Sequence, residues 1–236
     1  MLHRSLVRSI LLSSRRRALC TYRPPAAHSR VAELHEEVRA LHAEGRLSEA
    51  CAAGQQAYDL ARTEFGEKHP ATASAANNLA LMHKSMGDNE TAVDLYRTAL
   101  DTYRNVVGVG DSHPSTAAAA HNLAALLRTA GEYDEAEPLD RAALAAREER
   151  LGDDHPDTLL SLSSLGSTLF LQGKADEAEP LLRRAYEGRN RVLGPTHART
   201  VGAGRNLAAA LQALDRQVEA AALLHAVAPN VNRSPF

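Results

Sequence analysis

Residues 151–158 read Leu151-Gly152-Asp153-Asp154-His155-Pro156-Asp157-Thr158. A glycine followed at fixed distance by His-Pro marks a boundary. Glycine adopts the left-handed backbone that ends a helix, and proline fits the first turn of the next, where its missing N–H is no loss. The phrase recurs as Gly66-Glu67-Lys68-His69-Pro70, Gly110-Asp111-Ser112-His113-Pro114 and, in altered form, Gly194-Pro195-Thr196-His197-Ala198; the histidine spacings are 44, 42 and 42. A second phrase keeps the same intervals: Asn78-Leu79-Ala80, Asn122-Leu123-Ala124, Ser164-Leu165-Gly166 and Asn206-Leu207-Ala208. A turn residue follows each, and one precedes them all: Gly45, Gly87, Gly131, Gly173 and Asp215. Five residues beyond each turn stands Ala50, Ala92, Ala136, Ala178 or Ala220, and seven further Ala57, Ala99, Ala143, Ala185 or Val227. The one irregularity, two extra residues within Val107-Gly108-Val109-Gly110, falls in a loop, where insertion is cheap.

Each unit reads as two helices. Helix A opens at His-Pro, passes through the Asn-Leu-Ala phrase and stops at the turn glycine. Helix B carries the paired alanines, which lie on one face two turns apart and let a neighbouring helix approach closely. The helices A of units two to five are predicted at about 71–86, 114–130, 157–172 and 198–214. Pro138 and Pro180 fall in the first turn or so of helix B, where little hydrogen bonding is lost. A period near 42 is shared by several repeat architectures; the absence of tryptophan and of alternating strands argues against a WD40 propeller.

The order Leu-Ala, turn glycine, Glu-Ala, Ala-Leu resembles the tetratricopeptide repeat in its long, kinesin-light-chain-like form. Residues 151–158 and Asp134-Glu135-Ala136-Glu137-Pro138-Leu139 carry the resemblance most clearly. It implies an all-α, right-handed superhelical solenoid of about five helix-turn-helix units, at about 31–66, 67–108, 109–152, 153–194 and 195–229. A targeting segment at 1–30 and a tail at 230–236 flank it. The first unit lacks the His-Pro opening and has Glu37 where leucine is expected; Ser164 replaces asparagine, and Asp215 glycine. No clear capping helix follows Ala228-Pro229, so an apolar end around Val218, Ala222 and Leu224 is available to a partner or for self-association with a second copy.

The chain has 236 residues and a net charge of −2, but residues 1–30 hold seven arginines and no acid, leaving 20 basic and 29 acidic residues in the body, a net of −9. An acidic body argues against nucleic-acid binding, which needs neutralised phosphates. The start, with Leu2, Leu6 and Ile10 on one helical face and arginines largely on another, has the character of a mitochondrial or plastid transit peptide, and Arg17-Ala18-Leu19 before Cys20 resembles a processing site. Mitochondrial localisation, in the matrix or at the inner membrane, is the expectation, with plastid or cytoplasm as alternatives. No segment has the run of about 18 apolar residues a transmembrane helix needs.

In this family helix A lines the concave face and binds a peptide. The four predicted helices A contain one acid, Asp157, against Lys84, Arg128, Arg199 and Arg205. A basic inner wall on an acidic body implies a protein partner with an acidic or carboxylate-bearing segment. By spacing and by the resemblance, Arg39, His42, Asn77, Lys84, His121, Arg128, Arg205 and Gln212 face the groove. Asn78, Asn122 and Asn206 either join them or tie helix A to its neighbour. Leu160, Phe170 and Leu171 either form an apolar pocket or belong to the core.

No catalytic residue, metal ligand set or cofactor is predicted. His69, His113, His155 and His197 stand one unit apart and cannot converge on one ion with bonds of about 2 Å. His35 and His42 lack the spacing of a His-Glu-x-x-His site, and Gly108-Val109-Gly110 lacks the context of a nucleotide loop. Cys20 and Cys51 fit neither a disulfide framework nor a metal pattern. The expected function is a non-enzymatic protein-binding scaffold, with assembly or quality control of a mitochondrial complex implied by the resemblance. A cytosolic cargo adaptor of kinesin-light-chain type is the alternative.

Overall fold

Helix punctuation generates the architecture unit by unit. The structure, a computed structural model, describes residues 26–105, 110 and 112–227; the N-terminal basic segment before residue 26 and the tail after 227 lie outside them. Ten helices are present among the described residues: α1 (Ala26–Ala43), α2 (Leu47–Phe65), α3 (Pro70–Ser85), α4 (Asn89–Asn105), α5 (Pro114–Ala130), α6 (Tyr133–Leu151), α7 (Pro156–Leu171), α8 (Ala175–Leu193), α9 (Ala198–Ala213) and α10 (Gln217–Val227). They pair as five antiparallel hairpins, and the predicted helix A ranges hold to within a residue or so. The first departs: α1 begins at Ala26, inside the segment assigned to targeting, directly after Pro24-Pro25. A proline disfavours the helical conformation in the residue before it, so a helix starts readily just past such a pair.

The repeated histidines are N-caps. In His69, His113, His155 and His197 the ring Nδ1 accepts the backbone N–H two residues on, at 3.1–3.2 Å. Each cap satisfies one of the donors a helix start leaves open. Before three of them, Gly66, Gly152 and Gly194 adopt φ of 81–88° with ψ of 165–172°, a region essentially reserved for glycine. The turns between A and B close alike in every unit, with a backbone bond of 2.9 Å spanning five residues: Arg46 to Leu41, Asp88 to His83, Glu132 to Leu127, Lys174 to Leu169 and Arg216 to Leu211. Asp215 holds that left-handed turn at φ 58°, which a short polar side chain tolerates. Pro138 and Pro180 stand sixth in α6 and α8, slightly deeper than expected, and both helices run through them.

Packing follows the alanine register. Ala50, Ala92, Ala136, Ala178 and Ala220 are fully buried, as are Ala57, Ala99, Ala143 and Ala185. Where one partner grows the other shrinks. Leu159 occupies space that any side chain at Gly188 would overlap, while the equivalent pair one unit earlier is Ala117 and Ala146. Each helix packs on its sequence neighbours, and helices A of successive units also touch one another: α1 with α3, α5 with α7, and α7 with α9. Successive helices B make no comparable contact among the described residues. The stack is tighter on the A side, which makes the A helices the inner wall.

Helices B are joined instead by long charged side chains reaching across units. Arg97 bonds Glu135 at 2.9 Å, Lys174 bonds Glu137 at 2.9 Å, Arg184 bonds Glu148 at 2.8 Å, and Arg216 bonds Glu179 at 3.1 Å. Such exposed pairs contribute little individually. Their consequence is electrostatic: much of the body's acidic charge is neutralised on the outer wall.

Candidate functional site: the inner wall of helices A

The inner wall is polar and stitched across units. His42 Nε2 lies 3.2 Å from Ser85 Oγ, Asn122 Nδ2 donates to Asn77 Oδ1 at 3.5 Å, and His121 Nδ1 lies 3.5 Å from Ser164 Oγ. Asn122 thus reaches the neighbouring unit, while Asn78 is half-buried and Asn206 exposed. Among the expected cations, Lys84 and Arg205 have no ion pair among the described residues. Arg39 is paired with Glu36 on its own helix. Gln212 is exposed at the end of α9.

Arg128 requires a correction, since it is no free groove cation. Its Nη1 donates at 3.1 Å both to Asp140 Oδ2 and to Thr168 Oγ1, and Thr168 Oγ1 donates to the same carboxylate oxygen at 2.7 Å. Asp140 is 1% exposed, and its Oδ1 has no partner among the described residues. Burial pushes its carboxyl up, opposed by the Thr168 bond and by Arg128 and Arg147. The signal was present in the repeat: Asp140 sits where other units have Tyr96, Leu182 and Leu224, and Thr168 where they have Met82, Leu126 and Ala210. Two polar residues facing each other in apolar slots mark a buried network.

The apolar trio also separates. Leu160 and Leu171 are exposed at opposite ends of α7, eleven residues apart in sequence. At 1.5 Å per residue that is about 16 Å along the axis, too far for one pocket. Phe170 packs against the core of the last two units. At the chain's end, Val218 is 85% exposed and Leu224 partly so.

The wall's field is read by His121. Burial, then Arg147, Arg128 and Lys84, push its ring down to about 4. Lys84 and Arg128, from successive units, therefore act on one point of the same wall. The linkage is signed: below pH 6.5 an unfolded histidine takes a proton that folded His121 refuses, so stability falls between pH 6.5 and about 4 and flattens below. Asp140, with its carboxyl pushed up, acts in the opposite direction. The contribution is isolated by difference: His121→Asn is expected to remove up to about 3 kcal/mol of acid destabilisation, measured as urea midpoints from pH 7 to 4.

One arrangement was not legible in advance. Cys51 Sγ on α2 lies 3.6 Å from His83 Nε2 on α3, and His83 Nδ1 lies 2.8 Å from Asp88 Oδ2. The order thiol, imidazole, carboxylate is that of a nucleophilic relay. Here burial and the Asp88 charge push the thiol up, which disfavours the thiolate that such chemistry needs. No group of three or more His, Cys, Asp or Glu that could hold a metal ion occurs among the described residues, and none of the described helices is long and apolar enough to cross a membrane.

A family profile described as tetratricopeptide repeat matches residues 31–105, 115–191 and 161–226. The chain belongs to the tetratricopeptide repeat family. Among solved structures, this tetratricopeptide repeat protein is similar to a Podosopora anserina kinesin-light-chain protein with nearly identical TPR-like repeats. Identity is 26% and the TM-score 0.74, covering 84% of this chain and 93% of that one. BtubC (BKLC) from P. vanneervenii shares the fold at 18% identity and TM-score 0.70, covering 90% of this chain and 98% of that one. MamA from Desulfovibrio magneticus RS-1 does so at 16% and 0.63, covering 84% and 93%. A search of curated proteins found no match. A kinesin-light-chain-like tetratricopeptide solenoid is what the residues predicted, and such a fold serves as a protein-binding scaffold.

Proposed function

We propose that the inner wall binds an acidic, extended segment of a partner protein, seated between Lys84 and Arg205 with His121 at its centre. The observation that carries this reading is the contrast between the walls. Outer-wall carboxylates are met by arginines and lysines of adjacent units, whereas Lys84 and Arg205, on helices A, have no ion pair among the described residues. Unmatched cations on one face steer and orient an acidic ligand. Asn77 and Asn206 supply donors and acceptors for a peptide backbone. Reversing Lys84 and Arg205 to Glu together is expected to weaken binding of glutamate-rich peptides by about 10–100-fold, the range of one or two charge-assisted bonds. Fluorescence anisotropy reads this, with Lys68→Glu on an exposed loop as the control. Equal affinity in both variants would refute the acidic-ligand reading.

The same reading places the protein in mitochondria as a scaffold for assembly or quality control of a larger complex. The seven arginines and absent acids of residues 1–30 support it. A fluorescent protein fused behind residues 1–30 is expected to enter mitochondria; diffuse cytosolic signal would favour the cargo-adaptor reading.

A further inference from the structure

The repeat supplies its own internal control at two equivalent cavities. One lies between α5, α6 and α7 and is lined by Ser115, Ala118, Arg147, Leu151 and Asp157 among others. The other lies one unit on, between α7, α8 and α9, and is lined by Asp157, Leu160, Arg189, Val192, Leu193 and Arg199 among others. Arg147 and Arg189 hold the same repeat position, 42 residues apart, and each is 9% exposed. Their surroundings differ in charge. Arg147 donates to Ser161 Oγ at 2.6 Å and feels the Asp157 carboxylate. The residue equivalent to Asp157 in the next unit is Arg199. Arg189 therefore faces a second cation. Among the described residues its own bonds run only to neutral oxygens, at 3.3 Å to the Leu159 carbonyl, 3.4 Å to the Arg199 carbonyl and 3.5 Å to Ser163 Oγ. Burial and the Arg199 charge push its guanidinium down. Asp157 touches the rim of both cavities, but its charge acts on Arg147 and His121.

A buried cation with no anion is costly, and here it opens on a cavity of about 180 Å³, room for about six waters at roughly 30 Å³ each. The rim is apolar: Leu160, Val192 and Leu193 are 38%, 47% and 37% exposed. The cavity is lined by Leu160 of α7, whose side chain is exposed, and Arg189 at its base also reaches Ser163 of the same helix. We infer that this cavity is a specificity subsite that takes a glutamate or aspartate side chain of the partner segment, its carboxylate between Arg189 and Arg199 and a flanking aliphatic side chain on Leu160, Val192 and Leu193. The inference rests on the reading of the inner wall as a peptide site and adds the sequence character it selects, an acid beside an aliphatic residue.

The test uses the full chain, 15N-labelled, titrated with acetyl-leucyl-glutamyl-leucinamide and its glutaminyl analogue at millimolar concentration. Expected is a shift of the Arg189 Nε–H resonance with the glutamyl peptide, and tighter binding than the glutaminyl peptide by about 10–100-fold, as one charge-assisted contact gives. R199D recreates the arrangement of the preceding unit and is expected to abolish that preference while raising the unfolding midpoint. The rise should shrink when Arg189→Met is already present, because a carboxylate near a helix start is itself favourable and only the remainder reports the pair. Equal shifts with both peptides, no shift at Arg189, or a preference that survives R199D would overturn the subsite. Perturbation of Lys84 and Arg205 alone would overturn the subsite and leave the wall reading intact. A glutamyl preference at Arg189 that persists in the Lys84→Glu, Arg205→Glu variant would uphold the subsite even if the wall reading fails.

Discussion

Asp140→Ala is expected to destabilise the protein by about 3–5 kcal/mol, the usual cost of removing one member of a buried ion pair. The carboxylate is 1% exposed and receives both Arg128 and Thr168. Without it, Arg128, whose side chain is 19% exposed, loses its one counter-charge among the described residues. The pair is not expected to be a net stabiliser against apolar packing. Leu182 fills the same slot one unit later at 1% exposure, so the backbone accommodates leucine there. Asp140→Leu combined with Arg128→Met is accordingly expected to recover most of the loss, within about 1–2 kcal/mol of the parent. Urea unfolding of the two variants reads both numbers. A mild effect of Asp140→Ala, below about 1 kcal/mol, would mean that water, not Arg128, satisfies the carboxylate. The double variant has a second readout: with Arg128 gone, acidic-peptide affinity should hold, since that charge is already spent on Asp140.

Tyr96→Ala is the other large effect, at about 3–5 kcal/mol. Tyr96 is fully buried on α4 within the cluster that joins the second and third units. Its hydroxyl has no hydrogen-bond partner among the described residues, and burial pushes it up to about 12. A buried hydroxyl left unmatched costs free energy of its own, so Tyr96→Phe is expected to match or exceed the parent's stability by about 1 kcal/mol. In a linear stack each unit contacts only its neighbours. The damage in Tyr96→Ala should therefore appear as faster amide exchange in α3 to α6, with α9 and α10 little changed. Uniform loss of protection along the chain would instead indicate that the five units unfold as one.

Much of this fold was readable from one phrase. The Gly-x-x-His-Pro spacing placed the helix A starts to within a residue, because each element of the phrase has a single local job: the glycine takes a backbone region others avoid, the histidine caps, the proline opens. The alanine register located the tight contacts for the same reason, since only small residues fit them. Harder to read were properties that depend on where a neighbouring helix places its side chains, or on distance along a helix. Arg128 looked like a groove cation because its own helix offers no acid; its partner lies on the next helix, and Thr168 one unit on. Leu160 and Leu171 looked like one pocket because both sit on the inner side of α7, and the helix rise separates them. The Cys51, His83 and Asp88 alignment joins two units through residues with no repeat signature. The Arg189 cavity became visible only by comparing it with its counterpart at Arg147.

If the proposal is right, the partner lies on the inner wall of helices A. Site-specific photo-crosslinking tests it most directly. A photoreactive amino acid is placed at Leu81 or Ser167 on the inner wall, or at Arg104 or Glu187 on outer helices, and the full chain is irradiated in cells. Expected are crosslinks to a common partner from positions 81 and 167, lost when Lys84 and Arg205 are reversed to Glu, and none to that partner from 104 and 187. Capture from the outer positions, with silence inside, would contradict it.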